Sequence, residues 1–342
     1  MKKLTCAIFG CGRISVKHIE VLSKQLNSKF KIISVCDVKE ERAKKNGIKL
    51  SVPYFTSINK LIEFKTPDLA CVLTESGNHS NHVIKLSKHV KNIVVEKPMS
   101  LDVVSAKRMI KVCKINSTKL FVVKQNRFNK PVQYLKKAID ENRFKKIFLV
   151  TTRVRWKREQ KYYDQDSWRG TRKLDGNVIS NQANHHIDLM LWLNGDVDSV
   201  FAYSKKVSAK IECEDTVIAI LKFKNQSLGC IEATTAARPR DLEGSISVLG
   251  DGGSVEIGGY AVNSIKVWDF KKTKKIDSNI KNFTNEKPPN VYGFGHKKFY
   301  EHTYSSIINQ KTNFIDGKEG LKSVILLSAI NKSIKLKKEI KL

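Results

Sequence analysis

The 342-residue chain has no apolar run near the ~20 residues that a helix needs to cross a bilayer, so no membrane partner is expected. Its seven cysteines (Cys6, Cys11, Cys36, Cys71, Cys113, Cys213, Cys230) are odd in number and scattered, three of them inside apolar, strand-like runs. That usage argues against a disulfide framework. With no C-x-x-C and no histidine at ligand spacing, it also argues against a structural metal, and it points to reduced thiols in a cytoplasmic protein. Acidic residues are the other shortage: 33 Asp and Glu stand against 63 Lys and Arg, a formal net charge of +30. Such an excess invites a nucleic-acid reading. The lysines, however, are spread through "KKNGIK", "KHVKN", "DFKKTKKID" and "KLKKEIKL", with no basic block interleaved with aromatics. Solvated faces are the expectation, with no nucleic-acid partner; a positive potential that draws in an anionic substrate is a secondary consequence. Internal repeats and low-complexity linkers are also missing.

What is present suits two domains. The opening "MKKLTCAIFGCGR" has the lysines and short apolar run of a signal peptide. The run ends in a glycine turn and an arginine without a small-residue cleavage site, so it reads as a first strand. Up to residue 124, short apolar strands ("LTCAIFG", "KIISVCD", "LACVLT", "NIVVEKP", "LFVVKQ") alternate with helical patterns ("SVKHIEVLSKQL", "NHVIKLSKHV", "VVSAKRMIKVCK"). Continuous apolar strands separated by helices predict an α/β Rossmann domain, a doubly wound parallel sheet covered on both faces, over residues 1–124. From residue 125 to 342 longer alternating runs with Gly, Asn or Asp turns predict an α+β domain with a large, mostly antiparallel sheet for substrate binding and oligomerisation.

Chemistry enters at four places. "AIFGCGRIS" sets Gly10, Gly12 and Ser15 between the first strand and a helix. The first glycine permits the tight turn and the second lets a pyrophosphate approach backbone N–H groups, while Ser15 replaces the third glycine of a dinucleotide fingerprint. Asp37 ends the second strand where a carboxylate would accept from both ribose hydroxyls and repel a 2′-phosphate, which favours NAD over NADP. Glu96 and Lys97 close a later strand before Pro98. A closed crevice beside a cationic nicotinamide would disfavour the lysine's charged form, letting Lys97 share a proton with a substrate hydroxyl. In "SNQANHHIDLML", Asn181, His185 and Asp188 fall along one helical stripe, and His186, Met190 and Leu193 along another.

Together the G-x-G turn of Gly10 and Gly12, the E-K-P of Glu96 to Pro98, and the N-x-x-x-H-x-x-D of Asn181, His185 and Asp188 resemble the Gfo/Idh/MocA oxidoreductases over nearly the whole chain. "VVKQNRFN", "YYDQDSWRGT", "NQANHHIDLMLW" and "PPNVYGFGH" are similar to one group within that family, the UDP-N-acetylglucosaminuronate 3-dehydrogenases of surface-polysaccharide sugar synthesis. The resemblance implies a tightly held NAD, oxidation of the sugar ring at its third carbon, recycling of the reduced cofactor by 2-oxoglutarate, and a homodimer or homotetramer. By matched position it implies Lys97 and His185 as the catalytic pair with Asn181 beside them. For the cofactor it implies Gly10, Gly12, Arg13, Ile14, Asp37, Thr74, Ser76, Asn78, His79, Glu96, Lys97 and Gln125, with Trp168 and Arg169 from the second domain. Tyr292 would lie near the sugar nucleotide, and His186 would be structural.

Which of Lys97 and His185 is the formal base stays open, since interacting groups titrate as a pair. Arg153 and Arg155, on one face of a strand in "RVRWKR", could meet a diphosphate or uronate, with Arg153 as the substrate contact; an exposed basic strand edge is the equal alternative. Rival functions are a dehydrogenase of the same family acting on a free sugar or cyclitol, and an NAD-dependent sensor or nucleic-acid binder.

Overall fold

A computed structural model describes residues 2–280, 293–311 and 314–342. The chain divides into two compact units, one of residues 1–123 and 296–324, the other of 124–295 and 325–342. Residues 296–324 thus group with the first unit. Local contacts give the reason. The Val122 N–H donates to the Ile315 carbonyl at 3.0 Å, the rings of Phe121 and Phe314 stack at 4.5 Å, and the fully buried Tyr300 packs edge-on against Phe30. Apolar side chains left open at one edge of the first sheet are covered by chain from the far end of the sequence.

The first unit holds β1 (Leu4–Phe9), β2 (Phe30–Cys36), β3 (Tyr54–Phe55), β4 (Leu69–Val72), β5 (Asn92–Val95) and β6 (Lys119–Val122). Their order is β3-β2-β1-β4-β5-β6 and every pairing is parallel. Strand order reverses beside β1, the switch point where such sheets bind ligands beyond the strand C-termini. β3, a strand of two residues, was not expected. The first helix, Ser15–Glu20, continues as a wider π-helical turn over Val21–Gln25.

The second unit carries β7 (Ile147–Arg155), β8 (Val197–Lys205), β9 (Thr216–Phe223), β10 (Leu228–Thr234), β11 (Glu243–Gly250), β12 (Gly253–Gly258), β13 (Ser264–Phe270) and the short β14 (Ile340–Lys341). Its order is β13-β12-β11-β7-β10-β9-β8-β14. All pairings are antiparallel except β7 with β10. That exception follows from the long helical crossover after β7, the kind of connection a parallel pair requires. On one face Val150 and Val154 of β7 share a core with Ile187, Met190 and Leu193 of the helix Asn184–Asn194. The other face is open and carries the exposed Tyr203, Ile218 and Ile220.

Candidate active site

Gly10 has φ +96°, and a Cβ there would lie 2.7 Å from the Leu73 carbonyl carbon and oxygen and from the Thr74 nitrogen. Only glycine fits between β1 and the end of β4. Gly12 differs: a Cβ would meet nothing within 4 Å, so the backbone beside it is open to an incoming group. Ser15 is fully buried and its hydroxyl donates to the Gly12 carbonyl at 2.6 Å, which closes the turn as the small third residue should. Asp37 receives the Cys11 N–H at 2.7 Å and the Lys39 N–H at 2.8 Å, so the carboxylate at the end of β2 is fixed against the glycine turn. Arg13 is exposed and Ile14 half-buried at the same turn.

Thr74, Ser76, Asn78 and His79 form the turn after β4. Thr74 Oγ1 lies 2.9 Å from His82 Nδ1, and the Asn78 amide donates to Glu75. His79 is buried with Nδ1 2.8 Å from the Pro98 carbonyl and Nε2 2.9 Å from the Thr74 carbonyl. The His79 ring thus sits between the β4 turn and the Lys97–Pro98 turn, and burial pushes its pKa down.

The Glu96 side chain is turned into the unit: Oε1 lies 3.0 Å from His18 Nε2, and Oε2 accepts the Lys97 N–H at 2.9 Å. His18 Nδ1 in turn lies 2.6 Å from the Tyr300 hydroxyl, which donates to Cys71 Sγ at 3.5 Å. Burial alone would raise the Glu96 pKa. The hydrogen bond and charge of His18, with Lys97 and His296 near, outweigh it and hold the carboxyl well below the usual range. The ionised Glu96 thus anchors the backbone of Lys97 at the end of β5. Among the described residues, His18, Glu96 and His296 are the group whose donor atoms, all within 4.8 Å, could surround a metal ion. Two of these atoms already bond each other.

In the second unit the expected single helix over 180–191 is broken. One helical turn spans Val178–Asn181 and a longer helix spans Asn184–Asn194. The Val178 carbonyl accepts from both Gln182 N and Ala183 N at 3.0 Å, so the ladder stops there and Ala183 starts the next helix. Asn181 is therefore not one helical turn before His185, as expected. Its amide donates to Asp175, which also receives the Gly170 N–H at 2.7 Å.

His185 and Asp188 do share a helix face. His185 Nε2 lies 2.9 Å from Gln125 Nε2. Asp188 takes Arg127 Nε at 2.8 Å and Nη2 at 2.7 Å in a two-pronged bond, with Lys124 Nζ at 3.0 Å. Asp188, Lys124 and Arg127 are only 2%, 2% and 5% exposed, so this is a fully desolvated charge cluster. Burial would raise the Asp188 pKa, but Lys124 and Arg127 more than offset it and keep the carboxylate ionised. His186 is packed as expected: its ring meets Trp156 edge-on at 6.0 Å, and burial pushes its pKa down to about 4.

Other expected contacts fall elsewhere. Arg153 lies on the face of β7 opposite the His185 helix, because the alternate residues Val150 and Val154 are the ones packed against that helix. On the Arg153 face, Arg155 is held by Glu232 at 2.6 Å and Glu243 at 3.1 Å. The strand is therefore an ion-paired sheet surface, and the reading of Arg153 as a substrate contact in this unit is corrected. Arg169 is sandwiched with its guanidinium 4.6 Å from the Trp168 ring and 4.7 Å from Tyr162. Tyr292 lies outside the described residues.

Sequence reasoning missed the bonds that His18 and Tyr300 make in the first unit and those that Lys124 and Arg127 make in the second. A signal existed for the last two, since a lysine and an arginine follow directly on the apolar strand "LFVV" and face an aspartate three residues beyond the histidine. None existed for Tyr300, whose partners lie more than two hundred residues away.

Comparison with known proteins agrees with this geometry. Residues 4–124 match the NAD-binding Rossmann fold of an oxidoreductase family, and residues 136–342 match that family's C-terminal alpha/beta domain. The chain is 35% identical to the WlbA dehydrogenase of Bordetella pertussis, solved in complex with NADH and UDP-GlcNAcA. The match covers 100% of this chain and 99% of that one, with a TM-score of 0.92. The WlbA dehydrogenase of Chromobacterium violaceum, also solved with NADH and UDP-GlcNAcA, is 36% identical over 100% of this chain and 96% of its own, with a TM-score of 0.93. The myo-inositol 2-dehydrogenase of Thermotoga maritima is 25% identical over 98% of this chain and 97% of its own. A glycine turn that leaves room at Gly12, followed by both domains in register across the whole chain, makes this protein a member of the Gfo/Idh/MocA oxidoreductase family, with NAD as its cofactor.

Proposed function

We propose that the chain oxidises the 3-hydroxyl of UDP-N-acetylglucosaminuronate to the 3-keto sugar, a step in the synthesis of surface-polysaccharide sugars such as those of lipopolysaccharide O-antigen. The observation that carries this reading is the full-length likeness to two dehydrogenases solved with NADH and UDP-GlcNAcA. The residues present fit the cofactor. The open backbone at Gly12 would lie along the pyrophosphate, and Asp37 at the end of β2 would accept from the adenosine ribose. When bound, NAD supplies the hydride acceptor.

The chain's own part is to hold the sugar and take the hydroxyl proton. As that O–H bond breaks and the carbon–oxygen double bond forms, the proton passes to the Lys97 and His185 pair, with Asn181, Trp168 and Arg169 lining the site. Glu96 keeps the Lys97 backbone in place, so the side-chain amine that takes the proton works from a fixed backbone. The reduced cofactor is then recycled by 2-oxoglutarate. The working form is a homodimer or homotetramer built on the open sheet face, where Tyr203 pairs with Ile218 across β8 and β9, 68% and 51% exposed.

The test is to add UDP-N-acetylglucosaminuronate to the protein charged with oxidised NAD and follow the near-ultraviolet band of reduced nicotinamide. The band should appear with substrate, decay with 2-oxoglutarate, and form on the order of 100-fold or more slowly in Lys97→Ala. If free sugars or myo-inositol raise the band and the UDP-sugar does not, the likeness to the inositol enzyme is the better guide.

A further inference from the structure

We propose that Tyr300 and His18 are positioning residues for Lys97: with Glu96 they form a buried series of hydrogen bonds that runs from the helix Gly295–Ile308 to the Lys97 N–H and sets where the Lys97 side chain starts. This rests on the reading of Lys97 as one of the two proton acceptors, and adds to it the residues that aim it.

The links are short and dry. The Tyr300 hydroxyl lies 2.6 Å from His18 Nδ1, His18 Nε2 lies 3.0 Å from Glu96 Oε1, and Glu96 Oε2 accepts the Lys97 N–H at 2.9 Å. Tyr300 and His18 are fully buried and Glu96 is 4% exposed, so a lost partner is costly to replace. Glu96 is held ionised and its oxygens only accept, so His18 presents an N–H from Nε2. At Nδ1 the phenol hydroxyl can donate or accept, and it serves the ring whether that nitrogen carries a proton or a lone pair. The imidazole is also fenced in, edge-on to Tyr300 at 5.6 Å and to His296 at 5.2 Å. On the far side of the turn the Pro98 carbonyl lies 2.8 Å from His79 Nδ1. Residues 97 and 98 are thus gripped from both ends, and the grip on the Lys97 N–H leads back to a tyrosine from the other end of the sequence.

The consequence is mechanical. If His18 tilts, the Glu96 carboxylate follows and takes the Lys97 backbone with it. A misplacement of about 1 Å at a reacting group can cost roughly 100-fold in rate, and loss of one hydroxyl at the start of the series should cost about 10-fold. A tyrosine that served only to pack the helix would act through its ring, and phenylalanine would replace it.

The test is Tyr300→Phe in the full chain, which keeps the ring and its edge-on packing on Phe30 and removes the hydroxyl. In protein carrying 15N-lysine and carbonyl-13C glutamate, the Lys97 amide is seen through the preceding Glu96 carbonyl and is identified by its loss in Glu96→Gln. Its proton resonance, drawn downfield by the carboxylate it donates to, should move upfield in Tyr300→Phe and at least as far in His18→Leu. In Tyr300→Phe, kcat for the UDP-sugar should fall by about 10-fold while KM stays within about twofold. Tyr304→Phe removes an equally short bond from the same helix, 2.6 Å to the Lys2 carbonyl, and should leave the amide and kcat at their wild-type values. An unmoved Lys97 amide in either of the first two variants overturns the proposal. Equal changes in Tyr304→Phe do so as well, since Lys97 then feels the whole helix and not the Tyr300 hydroxyl, and so does a wild-type kcat in Tyr300→Phe where Lys97→Ala is slow. The catalytic reading is judged separately. Wild-type turnover in Lys97→Ala, alongside the expected amide shifts, removes Lys97 from the reaction and leaves the series of bonds intact.

Discussion

Glu96 in the first unit and Asp188 in the second are both buried carboxylates held ionised, and they are neutralised by different means. In the first unit Glu96 holds the Lys97 N–H and is matched by His18, with His296 edge-on to His18 at 5.2 Å. In the second, Asp188 stands on the His185 helix and is matched by Lys124 and Arg127. The first unit sets imidazoles beside its carboxylate, the second an ammonium and a guanidinium. Removing a partner should hurt the second more, and acid should reach the first unit sooner, because more of its imidazoles are held below their usual pKa.

The largest effect is expected from Asp188→Ala. It leaves two desolvated cations facing each other without an anion, and breaking a buried pair in this way costs about 3–5 kcal/mol. Urea unfolding of the second unit should lose that much, whereas Glu20→Ala, which removes an exposed carboxylate paired with Lys17 and hydrogen-bonded by Gln25, should change stability by less than about 1 kcal/mol. An Asp188→Ala protein as stable as the wild type would mean that the cluster is wetter than its burial indicates.

Acid gives the next effect. Burial, then His18, pushes the His296 pKa down to about 3, and His79, His82 and His302 in the same unit are also lowered, chiefly by burial. These rings are neutral in the folded unit while the unfolded chain takes up protons below its ordinary pKa of about 6.5, so stability is complete above that pH and drains away as pH falls toward the folded values. Between pH 6.5 and 5, His296 alone accounts for about 2 kcal/mol. In the second unit His186 makes the same kind of contribution, lost between about 6.5 and 4, but it is one ring against four among the described residues. Glu96 and Asp188, both held low, add losses only once the pH drops below the usual carboxylate range. Calorimetry at pH 7 and pH 5 should show the NAD-shifted transition moving down further than the other; equal movement would erase the contrast.

The two centres also differ in how far the sequence reveals them. The glycine turn and the strand-end places of Asp37 and Lys97 were legible because each is local: a fingerprint directly follows a strand, and apolar strands end where polar residues begin. The second sheet was legible as alternation, and its parallel pair was not, since pairing direction depends on a crossover and not on the pattern of one strand. Asn181 was misplaced on the helix for a similar reason, because helical spacing continues through Gln182 and Ala183 although the hydrogen-bond ladder stops. The inward contacts of the Glu96 and His79 side chains were not legible, because a motif names residues without saying which way they face. Tyr300 could not be found by any local rule, as its partners lie on β4 and on the first helix at the opposite end of the chain.

The smallest effect on stability is also the finest test of what the first unit's local signal means. Gly10 and Gly12 look equivalent in "GCG", yet they are glycines for different reasons. At Gly10 a methyl group would strike backbone atoms 2.7 Å away in a left-handed region of φ, so Gly10→Ala should cost about 1–3 kcal/mol of folding stability whether or not cofactor is present. At Gly12 the methyl would meet nothing within 4 Å, so Gly12→Ala should leave the cofactor-free unfolding midpoint within about 0.5 kcal/mol of the wild type. The space it fills is where the pyrophosphate must approach the backbone, and NAD should therefore bind more weakly and raise the midpoint less. A Gly12→Ala protein that keeps full stabilisation by NAD would show that the open space at this turn is not the cofactor's. A protein that loses stability without NAD would show that Gly12, like Gly10, is there for the fold.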